Sequence, residues 1–123
     1  MESTTRIFKA LSEPIRLRIV NLLLRGERCV CDLMEVLTMP QSTISRHLAY
    51  MKNAGLVKGR RRGVWMYYRL AVGNSGLHEK LLTILASWLP QTVEAKSDLK
   101  RLASLLRHKD SSSCQTNYPE KEL

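Results

Sequence analysis

The sequence predicts a mainly α-helical domain carrying one small β-hairpin, in the order α-α-α-α-β-β-α-α. Three observations predict it. Apolar residues recur at helical spacing through residues 3–54 and again through 77–107. Between Leu56 and Leu70 the pattern changes to alternation rich in β-formers. Pro14, Pro40, Gly55 and Gly63 punctuate the boundaries where helices or strands must start or stop.

The elements follow in order. Residues 3–11 place Ile7, Phe8 and Leu11 on one short apolar face. Pro14 restarts the chain as a first helical residue, with Ser12 the expected cap. From Ile15 to Leu24 apolar residues are dense enough for a mostly buried helix, ended near Gly26. A shorter helix over Val30–Leu37 buries Leu33, Val36 and Leu37. Thr38-Met39-Pro40 turns the chain into a helix over 41–54, where Ile44, Leu48 and Met51 share a face and Ser42, Ser45, Arg46 and Lys52 do not. Strands are expected at Leu56–Gly59 and Val64–Leu70, with Arg60-Arg61-Arg62-Gly63 as a basic tip. Gly73–Gly76 reads as a loop, and helices follow at about 77–89 and 92–107. This gives a domain over residues 1–107 and a polar tail over 108–123, whose composition predicts disorder.

At 123 residues the chain has room for one core. Its longest apolar runs are interrupted by Arg, Lys, Pro or Ser, so none would span a bilayer and no membrane partner is expected. Met1–Arg6 lacks the apolar stretch of a signal peptide, so the expected location is cytoplasmic, with reduced thiols. Three cysteines, an odd number, argue against a disulfide framework.

Net charge is +9, and its placement matters more than its size. Between Glu35 and Glu79 there is no Asp or Glu, while Arg46, Lys52, Lys58, Arg60, Arg61, Arg62 and Arg69 all fall there. A surface that meets phosphates must exclude carboxylates over a continuous area. An anionic membrane would also attract it, but these residues do not line one long amphipathic helix. The predicted order is that of a winged helix-turn-helix, and its partner is double-stranded DNA. Leucine-rich flanking helices suit a homodimer, and a two-fold dimer suits an operator with an inverted repeat.

A helix in the major groove presents its N-terminal side chains to base edges. Gln41, Thr43 and Arg46 are the candidates for base contact, and Ser42 and Ser45 suit either bases or phosphates. His47 has two readings, a DNA contact or a packing and capping role. Arg60, Arg61 and Arg62 at the hairpin tip suit phosphates or the minor groove, against a plain solvated charge run. Trp65 and Tyr67 would either stack on DNA or cover the apolar side of the wing.

Cys29 and Cys31 stand ten residues before the reading helix. A neighbouring Arg28 and a helix N-terminus both favour thiolate. Positions i and i+2 lie about 200° apart around a helix, so one ion can join them only if the first turn unwinds or has not begun. Unwinding would make the pair a strain device that shifts the population away from DNA binding. A tetrahedral zinc site needs a second ligand pair, and His47, His78 and His108 are far apart in sequence. Two or three sulfurs suit a soft, low-coordinate centre such as As(III) or Sb(III). Cys114 is the candidate third sulfur, and Met34 a poorer one.

Ser12–Ile19, Cys29-Val30-Cys31-Asp32-Leu33, Ser45–Leu48 and Gly63–Leu70 together resemble the ArsR/SmtB family of metalloregulatory repressors, over about residues 5–107. The Cys-Val-Cys-Asp-Leu element resembles the arsenite-responsive branch. The resemblance implies a homodimer that needs no cofactor to bind DNA and represses an arsenic-resistance operon. It implies release when As(III) or Sb(III) binds Cys29 and Cys31, and dimerisation through the first helix and the helix near 77–89. Some such sensors carry a third cysteine where this chain has Met34. The Asp/His pattern of the family's zinc sensors is absent around Asn74–Pro90. The alternatives are a thiol-based redox-responsive repressor and a sensor of another thiophilic metal such as Cd(II). An enzyme is not expected, since there is no Cys-x2-Cys redox motif and no phosphate-cradling loop beside a cysteine.

Overall fold

The structure, a computed structural model, describes residues 1–71 and 76–108. Helices α1 (Glu2–Leu11), α2 (Pro14–Leu23), α3 (Val30–Leu37) and α4 (Gln41–Asn53) precede the wing, and α5 (Gly76–Trp88) and α6 (Val93–His108) follow it. A 3-10 turn at Leu89–Gln91 joins the last two. Strands β1 (Arg28–Cys29), β2 (Val57–Arg62) and β3 (Trp65–Leu70) form one antiparallel sheet in the order β1-β3-β2. The predicted winged helix-turn-helix is therefore present. Among the described residues, no helix is long and apolar enough to cross a membrane.

Local chemistry sets the boundaries. Pro14 opens α2, but its cap is Glu13, whose carboxylate accepts from Arg16 N–H at 3.1 Å. Ser12, the expected cap, instead ends α1, and its hydroxyl donates back to Lys9 C=O. Gly55, at φ +84°, stops α4: its N–H bonds to Lys52 C=O and Leu56 N–H to Met51 C=O, the paired bonds of a Schellman ending. Thr38 takes the left-handed conformation at φ 56° where α3 turns toward α4.

Three details differ from the sequence expectation. The sheet has a third strand, since Arg28 and Cys29 pair with Tyr68 and Tyr67. A two-residue strand leaves no alternation to read, and only tertiary pairing reveals it. Arg60, Arg61 and Arg62 belong to β2 rather than to a tip, paired in register with Tyr67, Met66 and Trp65. The turn is Gly63-Val64, and Gly63 supplies the positive φ of +64° that a tight hairpin needs. His108, assigned to the tail, still ends α6. Residues 109–123 of the predicted tail, Cys114 among them, and 73–75 of the predicted loop lie outside the described residues.

The core sits among α2, α3, α4 and the sheet. Ile19, Leu22, Leu33, Ile44, Leu48 and Met51 are almost completely buried there. At about 1.5–3 kcal/mol for each fully buried large apolar side chain, this cluster holds the reading helix on the body. Two arginine contacts fasten α6 across it. Arg18 forks onto Asp98 with both distances 2.9 Å. Arg101 donates to Val36 C=O at 2.7 Å and to Thr38 Oγ1 at 3.1 Å, bracing the turn between α3 and α4.

Candidate nucleic-acid interface and thiol site

Helix α4 buries Ile44, His47, Leu48 and Met51 and leaves Gln41, Ser42, Ser45 and Arg46 exposed, with Thr43 half-buried. The burial period puts the proposed base-reading residues on the outer face of its first two turns. His47 faces the other way. Its ring Nδ1 lies 3.3 Å from Arg16 Nη1, and Arg16 also donates to Ala10 C=O and stacks 4.3 Å over the Tyr50 ring. An arginine is only a donor, so His47 Nδ1 must be the acceptor and the ring neutral. Burial, above all, holds its pKa below the ordinary 6.5; the Glu13 carboxylate opposes this, and Arg16 and Arg46 act with burial. The packing reading of His47 is the one this geometry matches.

The wing presents its arginines unequally. Arg61 is exposed and borders a cleft toward α4, while Arg62 lies 5.2 Å over the Tyr67 ring. Arg60 forks onto Glu27, Nε to Oε2 at 2.7 Å and an Nη to Oε1 at 2.8 Å. That hydrogen bond holds the Glu27 carboxylate below its ordinary range, with Arg69 and Arg62 adding to it. The segment free of acids in sequence thus receives one in space, from the entry to β1.

The sulfurs are brought together without unwinding anything. Cys29 ends β1 with φ −70° and ψ 146°, and it is the N-cap of α3, its sulfur accepting from Cys31 N–H at 3.4 Å. Cys31 lies in the first helical turn, and the two Sγ atoms are 2.8 Å apart. The expected strain device therefore falls away, because the helix has not begun at Cys29 and the 200° argument does not apply to the pair. The expected cation is also elsewhere. Arg28 turns its guanidinium to the carbonyls of Leu22 and Arg25 at the end of α2.

Both cysteines are buried against Trp65, with Val64 and Tyr67 packed around them. Trp65, for which the sequence left open stacking on DNA or covering the apolar side of the wing, is buried because the side chains of Cys29 and Cys31 pack against it. Beside the cluster lies a cleft of about 240 Å³ whose lining includes Cys31, Met34, Gln41, Ser45, Arg61 and Trp65. One small space therefore touches Cys31, helix α4 and the wing. Among the described residues no group of three or more His, Cys, Asp or Glu is arranged to hold a metal ion. Among the described residues the donors brought together there are the two sulfurs, which fit a soft centre and do not by themselves complete a zinc tetrahedron.

The family model described as bacterial regulatory protein, arsR family, matches residues 13–58, from the cap of α2 into β2. The arsenic resistance transcriptional regulator ArsR2 of Pseudomonas putida is 43% identical over 88 residues, covering 68% of this chain and 76% of that protein. The chain belongs to the ArsR/SmtB family of metalloregulatory transcription regulators. Within that family, the arsenical resistance operon repressor of Escherichia coli is 48% identical over 67 residues, 54% of this chain and 57% of that one. A cadmium resistance transcriptional regulatory protein CadC homolog of Staphylococcus aureus is 42% identical over 66 residues, 53% of this chain and 54% of that one. Among solved structures, the homodimeric winged helix-turn-helix DNA-binding domain from Mycobacterium bovis has a TM-score of 0.60 at 30% identity, covering 88% of this chain and 85% of that one. The protein is thus a DNA-binding regulator of the ArsR/SmtB type and not an enzyme.

Proposed function

We propose that this protein represses an arsenic-resistance operon and leaves its operator when As(III) or Sb(III) binds Cys29 and Cys31. The observation that carries the reading is the sulfur pair, 2.8 Å apart and buried under Trp65 at the base of the wing. At a metal–sulfur bond of about 2.3 Å, the value for zinc, a tetrahedral centre holds two sulfurs about 3.8 Å apart, and a pyramidal centre with angles near 90° about 3.3 Å. The narrower pyramidal bite asks for less movement of this pair. The arsenic-resistance names of two relatives support the same choice.

Release follows from position. An ion seated on the sulfurs would press on Trp65 and Val64, which pack against the cysteines and belong to the wing hairpin. Cys29 is paired with Tyr67, which is paired with Arg60, so displacement passes along one sheet to the wing arginines. A ligand that favours the displaced wing lowers affinity for DNA by its differential binding to the two states. The functional unit is a homodimer on an inverted-repeat operator in the cytoplasm. Phe8 of α1 and Leu77, Ile84 and Trp88 of α5 are exposed apolar residues that a second copy would cover, and a similar solved structure is described as homodimeric. Cys114 is an auxiliary third ligand in this reading, and DNA binding needs no cofactor.

Two other inducers are favoured by specific observations. In the reduced protein the cysteines also suit an oxidant, which takes two electrons and two protons from two thiols as it joins them. The cadmium-resistance relative supports Cd(II). An operator gel shift titrated with arsenite, antimonite, cadmium, zinc and peroxide separates the three. Release by arsenite and antimonite at the lowest concentrations is the expected result, and release by peroxide or cadmium alone overturns the assignment.

A further inference from the structure

We infer that Arg60 is a backbone-phosphate site of the wing whose occupant in the unbound protein is the carboxylate of Glu27. The contact has the form a phosphate would take. Two parallel bonds, at 2.7 Å and 2.8 Å, fill the guanidinium fork. Arginine recognises carboxylate and phosphate with this same bidentate geometry. The Arg60 side chain is half-exposed and that of Glu27 about a quarter exposed, so the pair lies at the surface where a DNA strand can reach it.

The surroundings favour exchange over a permanent lock. Exposed ion pairs contribute little to stability, so displacing one costs little. Arg61, Arg62 and Arg69 are all exposed on the same hairpin, which makes this stretch of surface attractive to a phosphodiester backbone. Glu27 is the carboxylate that spoils it locally.

Exchange has a signature in salt. A phosphate that binds a lone arginine releases its condensed cation. A phosphate that displaces Glu27 releases that cation but leaves a carboxylate that attracts one back. The wild-type protein therefore draws almost no salt dependence from Arg60. With Glu27→Gln the contact becomes an ordinary one, and the slope of log affinity against log salt steepens by about 0.9. Between about 50 and 200 mM salt that is an added loss of about 3.5-fold, on top of a higher affinity at the low end.

The test measures binding of a mixed-sequence duplex by fluorescence anisotropy across that salt range. The proteins are wild type, Glu27→Gln, Glu27→Gln with Arg60→Gln, and Glu35→Gln. Glu35 is exposed on α3, and its substitution makes the same change in net charge. The expected result is tighter binding and a steeper slope for Glu27→Gln, a return to the wild-type slope on removing Arg60 as well, and little change for Glu35→Gln. The inference is overturned if Glu27→Gln binds no more tightly or keeps the wild-type slope. It is equally overturned if Glu35→Gln has the same effect, since net charge alone would then account for it.

Discussion

Cys29 and Cys31 hold their sulfurs 2.8 Å apart because the first ends a strand and the second lies in the opening turn of the helix that follows. The pair proposed as the signal site is thus already brought together in the fold, at the seam between the helix-turn-helix and the wing. Replacing either cysteine with serine keeps a side chain of similar size and removes the soft ligand. Both variants should retain operator binding and lose release by arsenite. Loss of operator binding itself would show that the pair holds the wing in place. Cys114→Ser should shift the arsenite midpoint only modestly. Anisotropy titrations of a labelled operator read all three.

Trp65 should report ligand binding directly. It packs on both sulfurs, whereas Trp88, the other tryptophan, is 59% exposed on α5. In a Trp88→Phe protein, arsenite should change the emission of Trp65 with a midpoint matching operator release. The change should vanish when Cys31→Ser is added. An unchanged Trp65 spectrum at saturating arsenite would place the ion elsewhere.

The sequence carried the helices and the division of α4 into a buried and an exposed face because each is a long, periodic signal. Ile44, Leu48 and Met51 mark the buried side of α4 at helical spacing, and they are buried. The cysteines were legible as chemistry and misleading as geometry, since the helix start decides whether residues i and i+2 diverge. That start depends on β1, and β1 exists only because β3 pairs with it. Glu27 and Arg60 are 33 positions apart, and no local pattern joins them. The same is true of Arg18 and Asp98, 80 positions apart. His47 looked like its polar neighbours in sequence, yet the turn of the helix sends it to Arg16. Pairwise contacts between distant polar groups are what a single sequence hides.

The Arg18–Asp98 fork should be a major tie between α2 and α6. Asp98 is 1% exposed, so Arg18→Met strands a carboxylate in the core. Breaking a fully buried pair costs about 3–5 kcal/mol, and because the Arg18 side chain is partly exposed, a loss of about 2–3 kcal/mol is expected. Adding Asp98→Leu to Arg18→Met should recover most of it, because the stranded charge is then gone. Urea denaturation of the three proteins checks this, and a double variant as unstable as Arg18→Met would contradict it.

Asn21 offers the opposite case. It is 0% exposed on α2, and neither its side-chain oxygen nor its nitrogen has a hydrogen-bond partner among the described residues. A buried amide without partners costs about 1–3 kcal/mol, and leucine has nearly the same shape. Asn21→Leu should therefore raise the urea midpoint. A lowered midpoint would mean that the carboxamide is satisfied in solution, by water or by a second copy of the chain.

The His47 ring gives the fold a pH dependence whose sign is fixed by its surroundings. Burial and the guanidinium at 3.3 Å favour the neutral ring, so its folded pKa lies below the unfolded value near 6.5. Above pH 6.5 both states hold a neutral ring, and the residue's stabilisation is fully present. As pH falls below 6.5 the unfolded chain takes up the proton first, and stability declines until the folded pKa is passed. Glu27, whose pKa is lowered from 4.5, loses its contribution only at more acidic pH, so the two windows separate. Between about pH 7.5 and 5, the urea midpoint of the wild-type protein should fall by more than that of His47→Gln, which cannot titrate. Equal declines in the two proteins would show that His47 is protonated as readily in the fold as outside it, and that its contact with Arg16 does not hold it neutral.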